Sequence, residues 1–381
     1  MQRSPWDQRR RLWWLLWSGC PGIGWKRVGQ LEAAFGTLEA AWRGPSGALL
    51  VLPGWSAGLL DGVVRYRDRL GPDPLAGLLQ NPRADLGVLV PGDPRWPRGL
   101  RGLSRPPMAL YWSGNGSLWS HLQRRRAVAV VGTRRASIHG LRMARRLGGA
   151  LARAGWPVVS GLAEGIDAAA HGGCLEREGR PVGILGTPLE RTYPRHHDTL
   201  QRQVGACGLL ISEQARGTSV RGAHFALRNR LQVSLSAAVV VVECPEGSGA
   251  LHSAELAWMQ ELPLWVVPAD ADKRSAAGSN RLLARGATPL IDPADLTKHL
   301  GPGPLFMGSA AAASPPSLPH RAFNQRNGHQ SHLMAAVGSG ACLEHLSRAL
   351  DRPQSELMPE LLQLELSGQL VAEPGLRWRP C

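Results

Sequence analysis

Between residues 127 and 291 short apolar runs recur, and stretches with helical spacing separate most of them. The runs are Ala127–Val131, Pro157–Ser160, Pro181–Leu185, Gly208–Ile211, Ala237–Cys244, Pro263–Val267 and Thr288–Ile291. Short β-rich runs that alternate with helices predict βαβ units and a parallel sheet. Ala238 to Val242 is apolar at every position, as a strand covered on both faces must be. The expected fold class is therefore α/β, a Rossmann-like doubly wound and mostly parallel sheet.

The flanks follow other patterns. Residues 1–75 read as helices broken by two Pro-Gly turns, Pro21-Gly22-Ile23-Gly24 and Leu52-Pro53-Gly54-Trp55. That is the pattern of a helix-hairpin-helix or SAM-like domain, whose glycine turns present backbone N–H groups to phosphate. Trp6, Trp13, Trp14, Trp17, Trp25 and Trp42 crowd this segment and are expected mainly in its core. Residues 76–126, rich in Pro, Gly and Arg, read as an irregular lead-in to a core that spans 76–300. Residues 301–335 hold Gly301-Pro302-Gly303-Pro304, Ala310–Ser314 and Pro315-Pro316. Such a composition buries no core and predicts a disordered linker. In 336–381, Leu343–Leu350 and Glu356–Leu366 read as helices around Asp351-Arg352-Pro353, and Gly368–Arg379 as a hairpin. Two helices and a hairpin predict a winged-helix-like domain.

Length and charge narrow the function. A chain of 381 residues suggests two or three domains. Lys and Arg number 44 against 29 Asp and Glu, a formal net charge of +15. A surplus of that size faces a polyanion. Only Lys26, Lys273 and Lys298 are lysines, and the arginine fork donates two bonds to one phosphate. A GC-rich genome would explain the choice of arginine over lysine, but not the surplus. Cys20, Cys174, Cys207, Cys244, Cys342 and Cys381 form no C-x-x-C, the pattern of free thiols in a reducing compartment. Arg9-Arg10-Arg11 followed by Leu12–Trp17 imitates a secretion signal, but six apolar residues are too few. A cytoplasmic protein without membrane spans, cofactor or metal is expected.

In open parallel sheets, ligands bind outside the carboxyl ends of the strands. The informative residues fall there repeatedly. Gly132-Thr133-Arg134 follows the first run and precedes a helix over 137–154, offering a close backbone approach, a hydroxyl and a charge. Ser160, Gly161, Gly165 and Asp167 follow the second run, and small residues there can bare N–H groups toward phosphate. Asp167 is either a cap at the start of the next helix or a ligand contact. Gly186-Thr187-Pro188, Tyr193-Pro194 and Ser212-Glu213 follow later runs. Phe225 and the triplet Arg228-Asn229-Arg230 sit in an otherwise apolar helix, which would place charge at the mouth of the sheet and a ring for stacking. Ser248-Gly249 opens a further helix. His196-His197 read as loop residues.

Taken in order, these stretches resemble the DNA-processing protein family DprA, also called Smf. Its pattern runs G-S/T-R, S-G-x-A-x-G-I-D-x-x-A-H, Y-P, I-S-E, F-P-x-R-N-R, S-G-S-L-x-T-A and G-x-N-x-L-I-x-x-G-A. Here these stand as Gly132–Arg134, Ser160–His171, Tyr193-Pro194, Ile211–Glu213, Phe225–Arg230, Ser248–Ala254 and Gly278–Ala287. Ala226 replaces the proline, Ala250 and Ser253 depart from S-G-S-L-x-T, and Pro268-Ala269 replaces a P-G. The resemblance implies a non-catalytic protein that binds single-stranded DNA and promotes its loading with the RecA recombinase in natural transformation. It further implies a homodimer formed through the core. The implied contacts are Gly132, Thr133, Arg134, Ser160, Gly161, Gly165, Asp167, Phe225, Arg228, Asn229, Arg230, Ser248 and Gly249. The alternative is a nucleoside monophosphate phosphoribohydrolase, whose G-G-x-G-T-x-x-E turn is absent and for which Glu213 and Glu243 are the carboxylates at strand ends.

Overall fold

The computed structural model describes residues 7–71, 73–75, 87–306, 333–338, 340–366, 369–373 and 377–380. The chain forms two compact units, Met1–Gly308 and Ser309–Cys381.

The first unit opens with helices α1 (Gln8–Ser18), α2 (Trp25–Phe35), α3 (Leu38–Arg43) and α4 (Ala57–Leu70). Asp7, Thr37 and Ser56 cap α1, α3 and α4 by accepting a backbone N–H three residues on. Trp13, Trp14, Trp17 and Trp42 are buried with Leu31, Leu49 and Val63. Their rings meet edge-on or tilted, as with Trp17 and Trp42 at 5.2 Å, so these tryptophans form core rather than a stacking surface. The two Pro-Gly turns need glycine, with φ of 80° at Gly22 and 77° at Gly54. Arg27 donates to the carbonyls of both Gly22 and Gly54 and ties the turns together.

The lead-in segment is more regular than its composition suggests. It supplies β1 (Val88–Leu89), β2 (Leu110–Gly114) and the short helix α5 (Trp119–Leu122). β1 and β2 pair antiparallel, and β2 pairs antiparallel with the main sheet. Val88, Val90 and Ala109 join the helical core, while Trp14 and Trp25 donate to the carbonyls of Met108 and Pro107.

The seven apolar runs supply the parallel strands: β3 (Val128–Val131), β4 (Val158–Ser160), β5 (Pro181–Leu185), β6 (Leu209–Ser212), β7 (Ala238–Val241), β8 (Leu264–Val266) and β9 (Thr288–Pro289). The helices between them are α6 (Ile138–Arg153), α7 (Ile166–Leu175), α8 (Asp198–Cys207), α9 (Gly222–Ser234), α10 (Gly249–Met259), α11 (Ala277–Ala284) and α12 (Pro293–Leu300). The nine-stranded order is β1-β2-β6-β5-β4-β3-β7-β8-β9. Every residue of β3 and β7 is buried, as helices on both faces require. Met143, Leu147, Ile166 and Leu296 cover one face, and Val233, Ala250, Ala254 and Ala257 the other. β3 pairs with β4 on one side and with β7 on the other, so the chain reverses direction across the sheet beside β3. A ligand crevice is expected outside the carboxyl ends at that switch point.

The expected linker does not begin at 301. Gly303 N and Leu305 N donate to the carbonyls of Ala154 and Gly155, and Trp156 Nε1 to Gly301 O. Residues 301–306 thus pack on the core, and 307–332 lie outside the described residues.

The second unit holds α13 (Leu343–Ala349), α14 (Gln354–Leu366) and an antiparallel sheet in the order β10 (Ala341–Cys342), β12 (Arg377–Pro380), β11 (Leu370–Glu373). Leu346, Leu357, Leu361, Leu370 and Trp378 form its core together with Leu333 and Val337. No described helix is long and apolar enough to cross a membrane.

Candidate nucleic-acid interface

Three loops at the switch point enclose a cleft of about 550 Å³. The first follows β3. A Cβ on Gly132 would lie 2.5 Å from Ile166 Cγ1 and 2.8 Å from Glu243 O, so only glycine lets the chain pass. Thr133 N donates to Glu243 O at 2.7 Å, and Thr133 Oγ1 accepts from Arg135 N. Ser137 caps α6 and donates its hydroxyl to Glu243 Oε2 at 2.6 Å. Burial works against the charge of Glu243, yet hydrogen bonds from Ser137 and Ser275 and the nearby Lys273 hold its carboxyl below the usual range. Glu243 therefore anchors the loop. Arg134 and Arg135 are exposed and line the cleft.

The second loop follows β4 and is mostly framework. Ser160 is fully buried and donates to Val130 O. Gly161 N donates to Asp167 Oδ2. Gly165 holds φ at 75°, and a Cβ there would collide with the carbonyls of Thr133 and Arg134. Asp167 lines the cleft but is only 5% exposed. Desolvation raises its carboxyl above the usual range, opposed by Arg228 and by hydrogen bonds from its own loop. These partners lie ahead of α7 and on α9, so its contacts are not those of a cap on the N–H groups that open α7. His196 and His197 brace this loop from outside, at 3.3 Å from Glu164 and 3.0 Å from Leu162 O.

The third side is built by α9 and α10, and it corrects the reading of the Arg228-Asn229-Arg230 triplet. Arg228 does not project charge from the mouth. It is 6% exposed and points inward, donating through Nη1 to the carbonyls of Gly161 (2.5 Å) and Ile184 (2.6 Å). Its Nε donates to Asn229 Oδ1, and Nη2 stands 3.6 Å from Asp167. A Cβ on Gly161 would collide with this guanidinium, which explains the glycine. Arg230 is also drawn away, to Glu213 at 2.6 Å, and does not line the cleft. Burial pushes the Glu213 carboxyl up, and Arg230 partly offsets that. Asn229 does line the cleft and donates to Gly249 O. Phe225 is half-buried, tilted against the exposed Tyr193 at 4.8 Å, and carries the Arg134 guanidinium 5.6 Å from its ring centre.

Ser248 caps α10, so this eleven-residue helix opens into the cleft with its N-terminus. Arg135, Gln232, Glu246, His252 and Ser253 line the cleft and were not singled out in the sequence. Ser253 and Gln232 are each 1% exposed, and Ser253 Oγ and Gln232 Nε2 have no partner among the described residues. A buried polar atom without a partner costs about 1–3 kcal/mol, and a ligand in the cleft would relieve it. Gln232 lies one turn beyond Arg228, and Ser253 lies one turn inside α10. Helical spacing alone could have placed both. Of the expected contacts, Gly132, Thr133, Arg134, Asp167, Phe225, Arg228, Asn229, Ser248 and Gly249 line the cleft. Ser160, Gly161, Gly165 and Arg230 do not.

Fold and site together define a Rossmann-like α/β protein with a donor-lined cleft at the switch point of its sheet. Residues 87–301 match the family model of DNA recombination-mediator protein A. The chain is 32% identical to Protein Smf of Synechocystis sp. over 392 residues, covering 96% of this chain and 98% of that protein. The chain belongs to the DNA recombination-mediator protein A family, the DprA or Smf proteins. It is also 31% identical to the DNA processing protein DprA of Bacillus subtilis over 206 residues, 54% of this chain and 68% of that protein. The X-ray structure of DprA from Streptococcus pneumoniae shares the fold, with a TM-score of 0.62 at 24% identity over 77% of this chain and 98% of that one.

Proposed function

We propose that the cleft binds the backbone of single-stranded DNA with little sequence preference and without catalysis. The observation that carries this reading is the donor set at the cleft. Arg134 and Arg135 are exposed there, the α10 N-terminus opens into it, and Ser253 Oγ and Gln232 Nε2 await an acceptor. All of these suit phosphate oxygens, and Phe225 beside Tyr193 offers a sequence-tolerant stacking surface. A non-catalytic role is supported by the carboxylates. Asp167, Glu213 and Glu243 each engage neighbouring donors.

From family membership we infer the wider role: a cytoplasmic homodimer, joined through its core, that promotes loading of the strand with RecA during DNA uptake. We read residues 1–75 as a helix-hairpin-helix or SAM-like domain, 76–300 as the DNA-binding core and 336–381 as a winged-helix-like domain. The second helix of that last domain, α14, carries Glu356, Glu360 and Glu365 and no Lys, Arg or His. Acids there would repel phosphate, so we assign this domain to protein contacts rather than to DNA.

A mobility-shift titration with single- and double-stranded oligonucleotides of one length tests the core reading. Tighter binding of the single strand is expected, weakening with salt by a log–log slope of roughly −0.7 per neutralised phosphate. Affinity independent of salt would refute it.

A further inference from the structure

A second basic feature shares no residue with the cleft. On the outer side of α6, between α7 and the start of α12, lies a groove of about 600 Å³. Arg142, Arg145, Arg146, Arg153 and Arg177 line it, against Glu176 and Asp292. The carboxylates meet two of the five arginines. Arg145 donates to Glu176 at 2.9 Å and Arg146 to Asp292 at 3.0 Å. Among the described residues no ion pair engages Arg142, Arg153 or Arg177, and all three are exposed.

A solvated helix face usually intersperses charges of both signs, because like charges three or four residues apart destabilise a helix. α6 breaks that habit. Its sixteen residues hold four arginines and His139 and no acid, and Arg142 stands three and four residues from Arg145 and Arg146. The floor beneath them is bare. A Cβ on Gly148 would collide with Ala170 O, and one on Gly173 with Arg145 O. The backbones of α6 and α7 therefore touch, and the arginines stand as a rim above them. At 1.5 Å per residue, Arg142 to Arg153 covers about 17 Å, the length of a short run of phosphates on an extended strand. The N-terminus of α6 is fed directly by Thr133–Arg135, which line the cleft.

We propose that this groove holds a second stretch of the phosphate backbone of the strand bound in the cleft. The proposal rests on the single-stranded-DNA reading above. It predicts that affinity grows with strand length because of Arg142, Arg153 and Arg177.

Fluorescence anisotropy of the full chain with labelled oligothymidylates of about six and about thirty nucleotides tests it, one within and one well beyond the roughly 4–16 nucleotides that a single binding fold covers. Wild type is expected to bind the long strand more tightly than the number of registers explains. In R142A/R153A/R177A, binding of the short strand stays within about twofold, and binding of the long strand falls at least about tenfold. The salt slope for the long strand becomes shallower by about 2, at roughly 0.7 for each of three lost contacts. The triple lysine variant retains most of the length effect. A triple alanine variant that binds the long strand like wild type overturns the proposal, as does one that loses both lengths equally. A wild-type chain that binds neither length refutes the cleft and the groove together. One that binds both with equal strength refutes the groove alone.

Discussion

Arg228→Met should unfold the first unit more easily, and any loss of DNA affinity should follow from that. The methionine keeps an unbranched side chain of similar reach but removes every donor. It leaves Gly161 O and Ile184 O without their Nη1 partner, and Asp167, 5% exposed, without its cation. Breaking a buried pair by removing one partner costs about 3–5 kcal/mol. The orphaned carbonyls belong to the same cluster, so their cost falls within that figure rather than adding to it. Whole-domain stabilities run about 5–15 kcal/mol. With a urea m-value near the upper end of about 1–3 kcal/mol/M, the midpoint should fall by more than about 1 M. Tryptophan fluorescence reports the right unit, since every tryptophan except Trp378 precedes Gly308. Asp167→Asn added to the methionine variant should recover part of the loss, because the stranded charge is gone. The reasoning fails if Arg228→Met melts with wild type and still binds DNA weakly, since the guanidinium would then be reaching the ligand.

Other substitutions separate contact from framework. Arg134→Ala should leave the urea midpoint unchanged and weaken single-stranded DNA binding by roughly tenfold or more, the worth of a charge-assisted bond at about 1.5–3 kcal/mol; normal affinity in a titration would return Arg134 to an ordinary surface arginine. Ser253→Ala removes a buried hydroxyl that has no partner, so the free protein should be as stable as wild type or more so while DNA affinity drops; a clear loss of thermal stability without DNA would contradict this. His171 is fully buried, and desolvation lowers its pKa to about 4. The unfolded chain binds that proton first as pH falls below about 6.5, so stability is lost between about 6.5 and 4, by about 3 kcal/mol in all. His171→Gln should flatten this part of a urea-midpoint against pH profile, and an unchanged slope would show that other groups govern it.

The parallel strands were legible because burial on both faces leaves a run with no polar position, as at Ala238–Val242. β1 and β2 were not. They are short, pair antiparallel with distant segments and lie among prolines and glycines, so tertiary pairing rather than local pattern makes them strands. Gly301-Pro302-Gly303-Pro304 has the composition of a linker, yet a Cβ on Gly303 would collide with Gly155. The glycine there serves a close approach, and composition cannot distinguish that from flexibility. At the site, the sequence placed the loops at the carboxyl ends of the strands but not the direction of each side chain. Arg228, Asn229 and Arg230 lie about 100° apart on α9, so three adjacent polar residues must face three surroundings. One enters the floor, one meets α10 and one meets Glu213.

That separation changes what the motif residues mean. Ser160, Gly161, Gly165, Asp167 and Arg228 hold one another: a hydroxyl to Val130, an N–H to Asp167, a guanidinium over Gly161, a left-handed turn under Thr133. Each needs its residue type for a reason internal to the protein. The groups left at the cleft are different in kind: the N-terminal end of α10, two loop arginines and two buried polar atoms. Backbone donors do not depend on which side chain stands beside them. Ala250 N still donates to Ser248 Oγ although position 250 lacks the family's serine hydroxyl, and Ala226 is exposed on α9, where losing a proline disturbs none of the framework. The departures from the family pattern therefore fall where the cleft can absorb them. The framework keeps the residue types whose loss would collapse the cleft before any strand reached it.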